Sequence, residues 1–156
     1  MTRIIIVLLL SIGLLQAEKA SAKVVYDLTT KNQAAFERKI LKAIVANKAY
    51  YESKFQELDV TVVIHGGAYR YFTINPGKTK YKTDKALLAD YTNLKKRIRS
   101  MSDTYDVEFL MCGAGMSKYE LKAKEIVNFV KIIPNSTIGL IDKQNEGYAY
   151  IPVGDK

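Results

Sequence analysis

Val60-Thr61-Val62-Val63-Ile64-His65-Gly66-Gly67 decides the fold. Its first five positions are β-favouring and almost wholly apolar, without the in-out alternation of a strand that has one wet face. That is the pattern of a parallel strand covered on both sides. Two glycines then end it. A strand buried on both faces needs a helical layer above and another below. This one stretch therefore asks for an α/β sandwich rather than a barrel or a bundle.

Working outward, the chain on both sides supplies what that strand needs. On its N-terminal side, residues 23–28 form a short β-rich run. Thr30-Lys31-Asn32-Gln33 follows with the Thr-x-x-Gln spacing of a capping box, which predicts a helix start. Phe36, Ile40, Ile44, Tyr51 and Phe55 then share a helical stripe, with Leu41 and Val45 beside it.

On the C-terminal side, residues 66–83 are aromatic and aperiodic (Tyr69, Tyr71, Phe72, Tyr81), with Asn75-Pro76-Gly77 as a turn. Such a connection reads as a lid, a recognition surface or an oligomer contact. Leu87, Tyr91, Leu94, Ile98 and Met101 step by four, three, four and three along one helical face. Lys95, Lys96, Arg97 and Arg99 sit near that helix's C-terminus, where the macrodipole favours cations. This placement argues for a structural role over a dedicated anion site.

Residues 106–111 form the next strand and lead into Cys112-Gly113-Ala114-Gly115. Ser117-Lys118-Tyr119-Glu120 is a second capping-box pattern, predicting a helix that carries Leu121, Ile126 and Val127. Val130–Ile133 reads as a strand stopped by Pro134. Asn135 or Ser136 caps a short helix bearing Ile138, Leu140 and Ile141, with Asn145-Glu146-Gly147 as its stop. Residues 148–151 form the last strand, where Tyr148 and Tyr150 read as packing. Strands alternating with helices give a three-layer α/β/α sandwich with a mainly parallel sheet of about five strands. Their spatial order is not encoded in the pattern.

Residues 1–22 read as an export signal: Arg3 is the positive start, residues 4–15 the apolar stretch, and Ala20-Ser21-Ala22 a small-x-small cleavage site. The apolar stretch is shorter than the ~20 residues of a bilayer-spanning helix. The expected product is residues 23–156, a single domain, periplasmic or secreted, with no stable membrane span after cleavage. The formal net charge of +8 stays clearly positive without the signal. Export argues against nucleic acid as a partner, and the basic balance suits small anions, membrane surfaces or simple solubility.

The chain has one cysteine and one histidine. A lone thiol in an exported protein forms no internal disulfide, so Cys112 is either a core residue or a thiol kept for chemistry. Ligands of open parallel sheets bind beyond the carboxyl ends of the strands, and both His65 and Cys112 fall at such ends. Gly66, Gly67, Gly113 and Gly115 would let backbone N–H groups approach an anion there. His65 is a candidate to tune the thiol, or else a hydrogen-bonded structural residue. One His with one Cys, even with Met111 and Met116, is too thin a ligand set for copper or zinc, so no metal is expected. No G-x-S-x-G elbow, G-x-x-x-x-G-K-[ST] loop or C-x-x-C pair occurs, and no cofactor is implied.

Several of these residues fall in a familiar order. A strand ending in His65-Gly66, a helix around residues 94–101, a strand ending in Cys112, Val130-Lys131-Ile132-Ile133-Pro134, and the tail Gln144-Asn145-Glu146-Gly147-Tyr148-Ala149-Tyr150-Ile151 together resemble the DsrE/DsrF-like proteins, in particular their exported branch. The resemblance implies a five-stranded parallel sheet, assembly into trimers or hexamers, and a cysteine after the third strand that carries persulfide sulfur. By position that cysteine is Cys112. A sulfane-sulfur donor and an acceptor thiol protein would be its partners. The alternative is a non-catalytic oligomeric binding module in which Cys112 only packs.

Overall fold

The structure is a computed structural model that describes residues 21–155. Five strands, β1 (Ser21–Leu28), β2 (Glu57–Ile64), β3 (Val107–Cys112), β4 (Val130–Ile133) and β5 (Ala149–Val153), form one sheet in the order β4-β3-β2-β1-β5. Every neighbouring pair is parallel. The apolar stretch that decided the fold is the central strand: Val60, Thr61, Val62, Val63 and Ile64 are all fully buried. Residues 1–20 of the predicted signal lie outside the described residues. Ser21 and Ala22 occupy the first two positions of β1, opposite Glu57 and Leu58.

One face of the sheet carries most of the core. Val24, Tyr26 and Leu28 of β1, Val60, Val62 and Ile64 of β2, and Val107, Phe109 and Met111 of β3 pack there against helices. The first helical run comprises α1 (Gln33–Phe36), a π-helical stretch (Glu37–Lys42) and α2 (Ala43–Glu52). The second is α3 (Lys85–Asp103), whose buried residues are Leu87, Tyr91, Leu94, Ile98 and Met101, the five that its spacing predicts. The other face is covered by α5 (Ser136–Asn145), over Val25, Val63, Leu110 and Tyr148. Gly139 of α5 lies so close to the sheet that a Cβ there would meet Ile133.

Several local expectations are corrected. The first helix is capped by Asn32, whose side chain accepts from the Ala35 N–H at 3.0 Å. Thr30 instead donates to Asp155 of the C-terminal tail and accepts from the Asn32 N–H. Phe55 lies past the end of α2 with φ +56° and is 86 % exposed, so it leaves the predicted stripe.

Ser117 does not open a helix. The chain turns helical at once after β3, in α4 (Gly113–Met116), and continues as a 3₁₀ turn until Glu120, whose left-handed φ of +53° ends it. The aromatic side chains of the connection are buried rather than presented at the surface. The segment winds through three 3₁₀ turns that bury Tyr69, Tyr71, Phe72 and Tyr81, with Tyr71 stacked on Phe36 at 4.3 Å.

Candidate functional site

Because β2 and β3 are neighbours with Ile64 opposite Met111, His65, just past the end of β2, and Cys112, the last residue of β3, lie side by side at the carboxyl edge of the sheet. Their side chains have separate partners. His65 Nε2 lies 2.6 Å from Asp27 Oδ1, and the other oxygen of Asp27 accepts from the Tyr150 hydroxyl at 2.7 Å. Burial works against ionisation of Asp27, but its bonds from His65 and Tyr150 prevail and hold the carboxyl below its usual range. Among the described residues, no hydrogen bond or ion pair joins His65 to Cys112.

Cys112 is the free cysteine, 7 % exposed and packed with the main core. Burial alone would raise its pKa. The donors around the sulfur reverse that: the Gly115 N–H, the Tyr69 hydroxyl, and the N–H and hydroxyl of Ser136 together hold the thiol below its ordinary value. These donors come from three places in the chain. Gly115 belongs to the turn that follows β3 directly. Ser136 is the first residue of α5, placed there because β4 runs beside β3, with Cys112 opposite Ile133, and Asn135 caps the helix by accepting from the Ile138 N–H at 2.9 Å.

Tyr69 comes from the buried aromatic connection. Its hydroxyl carries one proton, which it donates to the Cys112 carbonyl at 2.5 Å and which can turn instead to the sulfur beside it. Burial, reinforced by the bond to Cys112, pushes the Tyr69 pKa far above the ordinary phenol value, so it stays a protonated donor. The Tyr69 ring lies 4.9 Å from that of Tyr119.

The predicted glycines divide between two places. Gly113 and Gly115 are beside the thiol, and both fit because a side chain would not. A Cβ on Gly113 would lie 2.9 Å from the Ile133 carbonyl oxygen, and one on Gly115 would collide with the Tyr69 hydroxyl. Gly66, at φ +58°, and Gly67 pack instead against Thr29 and Lys31, and the Gly67 N–H is occupied by the Thr29 carbonyl at 2.9 Å. Tyr69, Ser136 and Tyr150 were read from the sequence only as part of an aromatic connection, as a helix cap and as strand packing, and Asp27 was not singled out. Ser136 carried a signal, since it heads the helix after the strand that flanks β3. Tyr69 had none, because its segment lacks a period.

No cluster of His, Cys, Asp and Glu among the described residues could hold a metal. The donors at Cys112 suit an anionic sulfur, a thiolate, better than a cation.

Comparisons with known proteins agree with this architecture. An uncharacterized protein of Aquifex aeolicus (strain VF5) is 32 % identical over 59 residues, a stretch covering 38 % of this chain and only 26 % of that relative. The solved structure of a protein of unknown function from Methanobacterium thermoautotrophicum superposes with a TM-score of 0.59 at 14 % identity, covering 85 % of this chain and 99 % of the other, and so shares the fold. The DsrE/DsrF-like family model matches residues 23–153, which take in all five strands but for the first two residues of β1, and the cysteine at the end of β3. The chain belongs to the DsrE/DsrF-like family.

Proposed function

We propose that the protein is a sulfur carrier of sulfurtransferase type, with Cys112 as the atom that holds the sulfur. One observation carries this reading: the Gly115 turn, the Tyr69 hydroxyl and Ser136 at the head of α5 close around a buried thiol, a set of donors that favours its thiolate despite burial. An inert core cysteine needs no such donors, because a neutral S–H is itself only weakly polar. In the forward step the Cys112 thiolate attacks the outer sulfur of a persulfide or polysulfide, R–S–S⁻. A bond forms between Cys112 Sγ and that sulfur, the donor's S–S bond breaks, and R–S⁻ departs with the electron pair. In the return step an acceptor thiolate attacks the same outer sulfur and the Cys112 thiolate leaves. No net oxidation occurs, and the Gly115, Tyr69 and Ser136 donors stabilise negative sulfur at each stage. His65, held by Asp27 on the neighbouring strand, is proposed to act from the same rim, and Gly113 and Gly115 to admit the ligand.

The setting proposed for this chemistry is outside the cytoplasm, supported by the signal-like pattern of residues 1–22. No helix among the described residues is long and apolar enough to cross a membrane. A homo-oligomer is proposed as the working form, supported by the exposed Ile138 and Ile141 on α5. A second reading, a ligand- or protein-binding module with Cys112 as packing, is favoured by the 7 % exposure of that residue.

Intact-mass analysis after incubation with polysulfide separates the two. The carrier reading expects one added sulfur on the native chain that dithiothreitol removes, and none on Cys112→Ser. Addition to both proteins or to neither leaves the binding module as the better account.

A further inference from the structure

A groove of about 870 Å³ lies between α3 and the chain that precedes and follows it, away from the residues around Cys112. Its apolar lining includes Ile74, Leu88, Val127 and Phe129. Ile74 and Leu88 are 47 % and 37 % exposed, unusual for large aliphatic side chains that share one concavity. Lys95, Lys96 and Arg99 line the same groove, and no carboxylate does. Arg99 is engaged by Asp103 and by the Asn128 side chain, and Lys95 donates to the Ile74 carbonyl at 3.2 Å. Lys96 makes no ion pair among the described residues. The groove thus combines an apolar wall with an uncompensated positive edge.

We infer that this groove binds a single-chain anionic amphiphile, a long-chain carboxylate, with the tail along Ile74, Leu88 and Phe129 and the head group at Lys95 and Lys96. The volume is within the ~300–1,000 Å³ of small-molecule sites. Charge complementarity selects an anion, and the state of the backbone selects a hydrocarbon tail over a peptide. The Ile74 N–H is taken by the Glu125 carbonyl, the Ile74 carbonyl by Lys95, and Pro76 has no N–H. An extended peptide laid here would bury amides with few partners, which is costly; an alkyl chain buries none. The inference stands apart from the chemistry of Cys112.

The test is an NMR titration of the methyl groups of the native protein with decanoate, and separately with decanol. Saturable shifts are expected at Ile74, Leu88 and Val127, with decanol binding at least tenfold more weakly. Lys95→Glu/Lys96→Glu, changed at surface positions and checked for an unaltered fold by its remaining methyl spectrum, should weaken decanoate at least tenfold. Cys112→Ser should bind as the native protein does. Equal affinity for acid and alcohol, shifts elsewhere, no saturable shift at all, or an unaffected charge-reversed variant each overturn the inference.

Discussion

At the scale of single residues, the balance around Cys112 is a contest between desolvation and hydrogen bonding. Withdrawal from water favours the neutral thiol, while donors from Gly115, Tyr69 and Ser136 favour the thiolate, and the donors win. The rate of alkylation by iodoacetamide tracks the thiolate fraction. Its pH midpoint in the folded protein should therefore lie below that of a model thiol, near 8.5. Tyr69→Phe removes one donor while keeping the ring and should move the midpoint upward. An unchanged midpoint would mean that the hydroxyl serves only the Cys112 carbonyl. Gly115→Ala tests the same geometry from the other side, since its new methyl must displace the Tyr69 hydroxyl. It should raise the midpoint at least as far as Tyr69→Phe does. Neither effect was foreseeable from composition: a lone cysteine next to glycines says nothing about a phenol more than forty residues earlier.

At the scale of elements, what the sequence disclosed depended on how local the cause was. The five buried residues of α3 were legible because a helix lying over a sheet buries one face along its whole length, and that repeats in the chain. The continuous apolar run of β2 was legible for a similar reason, being central in the sheet. The Thr30 and Ser117 capping patterns misled because distant or conformational causes overruled them. Asp155 recruits the Thr30 hydroxyl, and the left-handed backbone at Glu120 closes a helix that had already begun at Gly113. Of the site, the positions of Cys112 and the nearby glycines were readable from strand ends, whereas the donors and the Asp27 partner of His65 depend on strand order.

Contacts between elements also set the response to acid. Glu37 accepts from Arg97 at 2.6 Å, tying the first helical run to α3. The bond from Arg97, then that from Gln33, holds its carboxyl below the usual range. Between the folded and unfolded values the unfolded chain binds more protons, so stability rises with pH there. This contribution is complete above the ordinary carboxylate pKa and is lost as pH falls through the depressed one. Urea unfolding should show Glu37→Gln less stable than the native protein by up to about 1 kcal/mol near neutrality, with the gap closing in acid. A pH-independent gap would assign the effect to packing. Asn135→Ala should cost about 1 kcal/mol through the lost helix cap. It should also raise the alkylation midpoint of Cys112, because Ser136 is the next residue. Loss of stability with no change in midpoint would separate the cap from the thiol.

On the scale of the whole molecule, the two layers beside the sheet are unequal. One face carries the large core under the first helical run and α3, while α5 alone shields the small cluster on the other. Helix α5 carries three large aliphatic residues, Ile138, Leu140 and Ile141, and a single short helix over a sheet cannot turn all three inward. Leu140 packs against the cluster, while Ile138 and Ile141 are 42 % and 50 % exposed. Tyr150 of the edge strand β5, opposite Val25 and so on the same face as α5, is also open to solvent. Apolar side chains left on the thinner layer are what a contact between copies would cover. Light scattering of residues 23–156 should then give a mass above that of one chain. Ile138→Glu/Ile141→Glu should reduce it to the monomer while leaving the far-ultraviolet dichroism unchanged, because both side chains already face water within one chain. A native monomer at micromolar concentration would remove self-association, and an associated double variant would move the contact away from α5. If the variant is monomeric and still takes up sulfur at Cys112, the thiol site is complete within one chain. Loss of uptake with the fold intact would mean that a second copy supplies part of it.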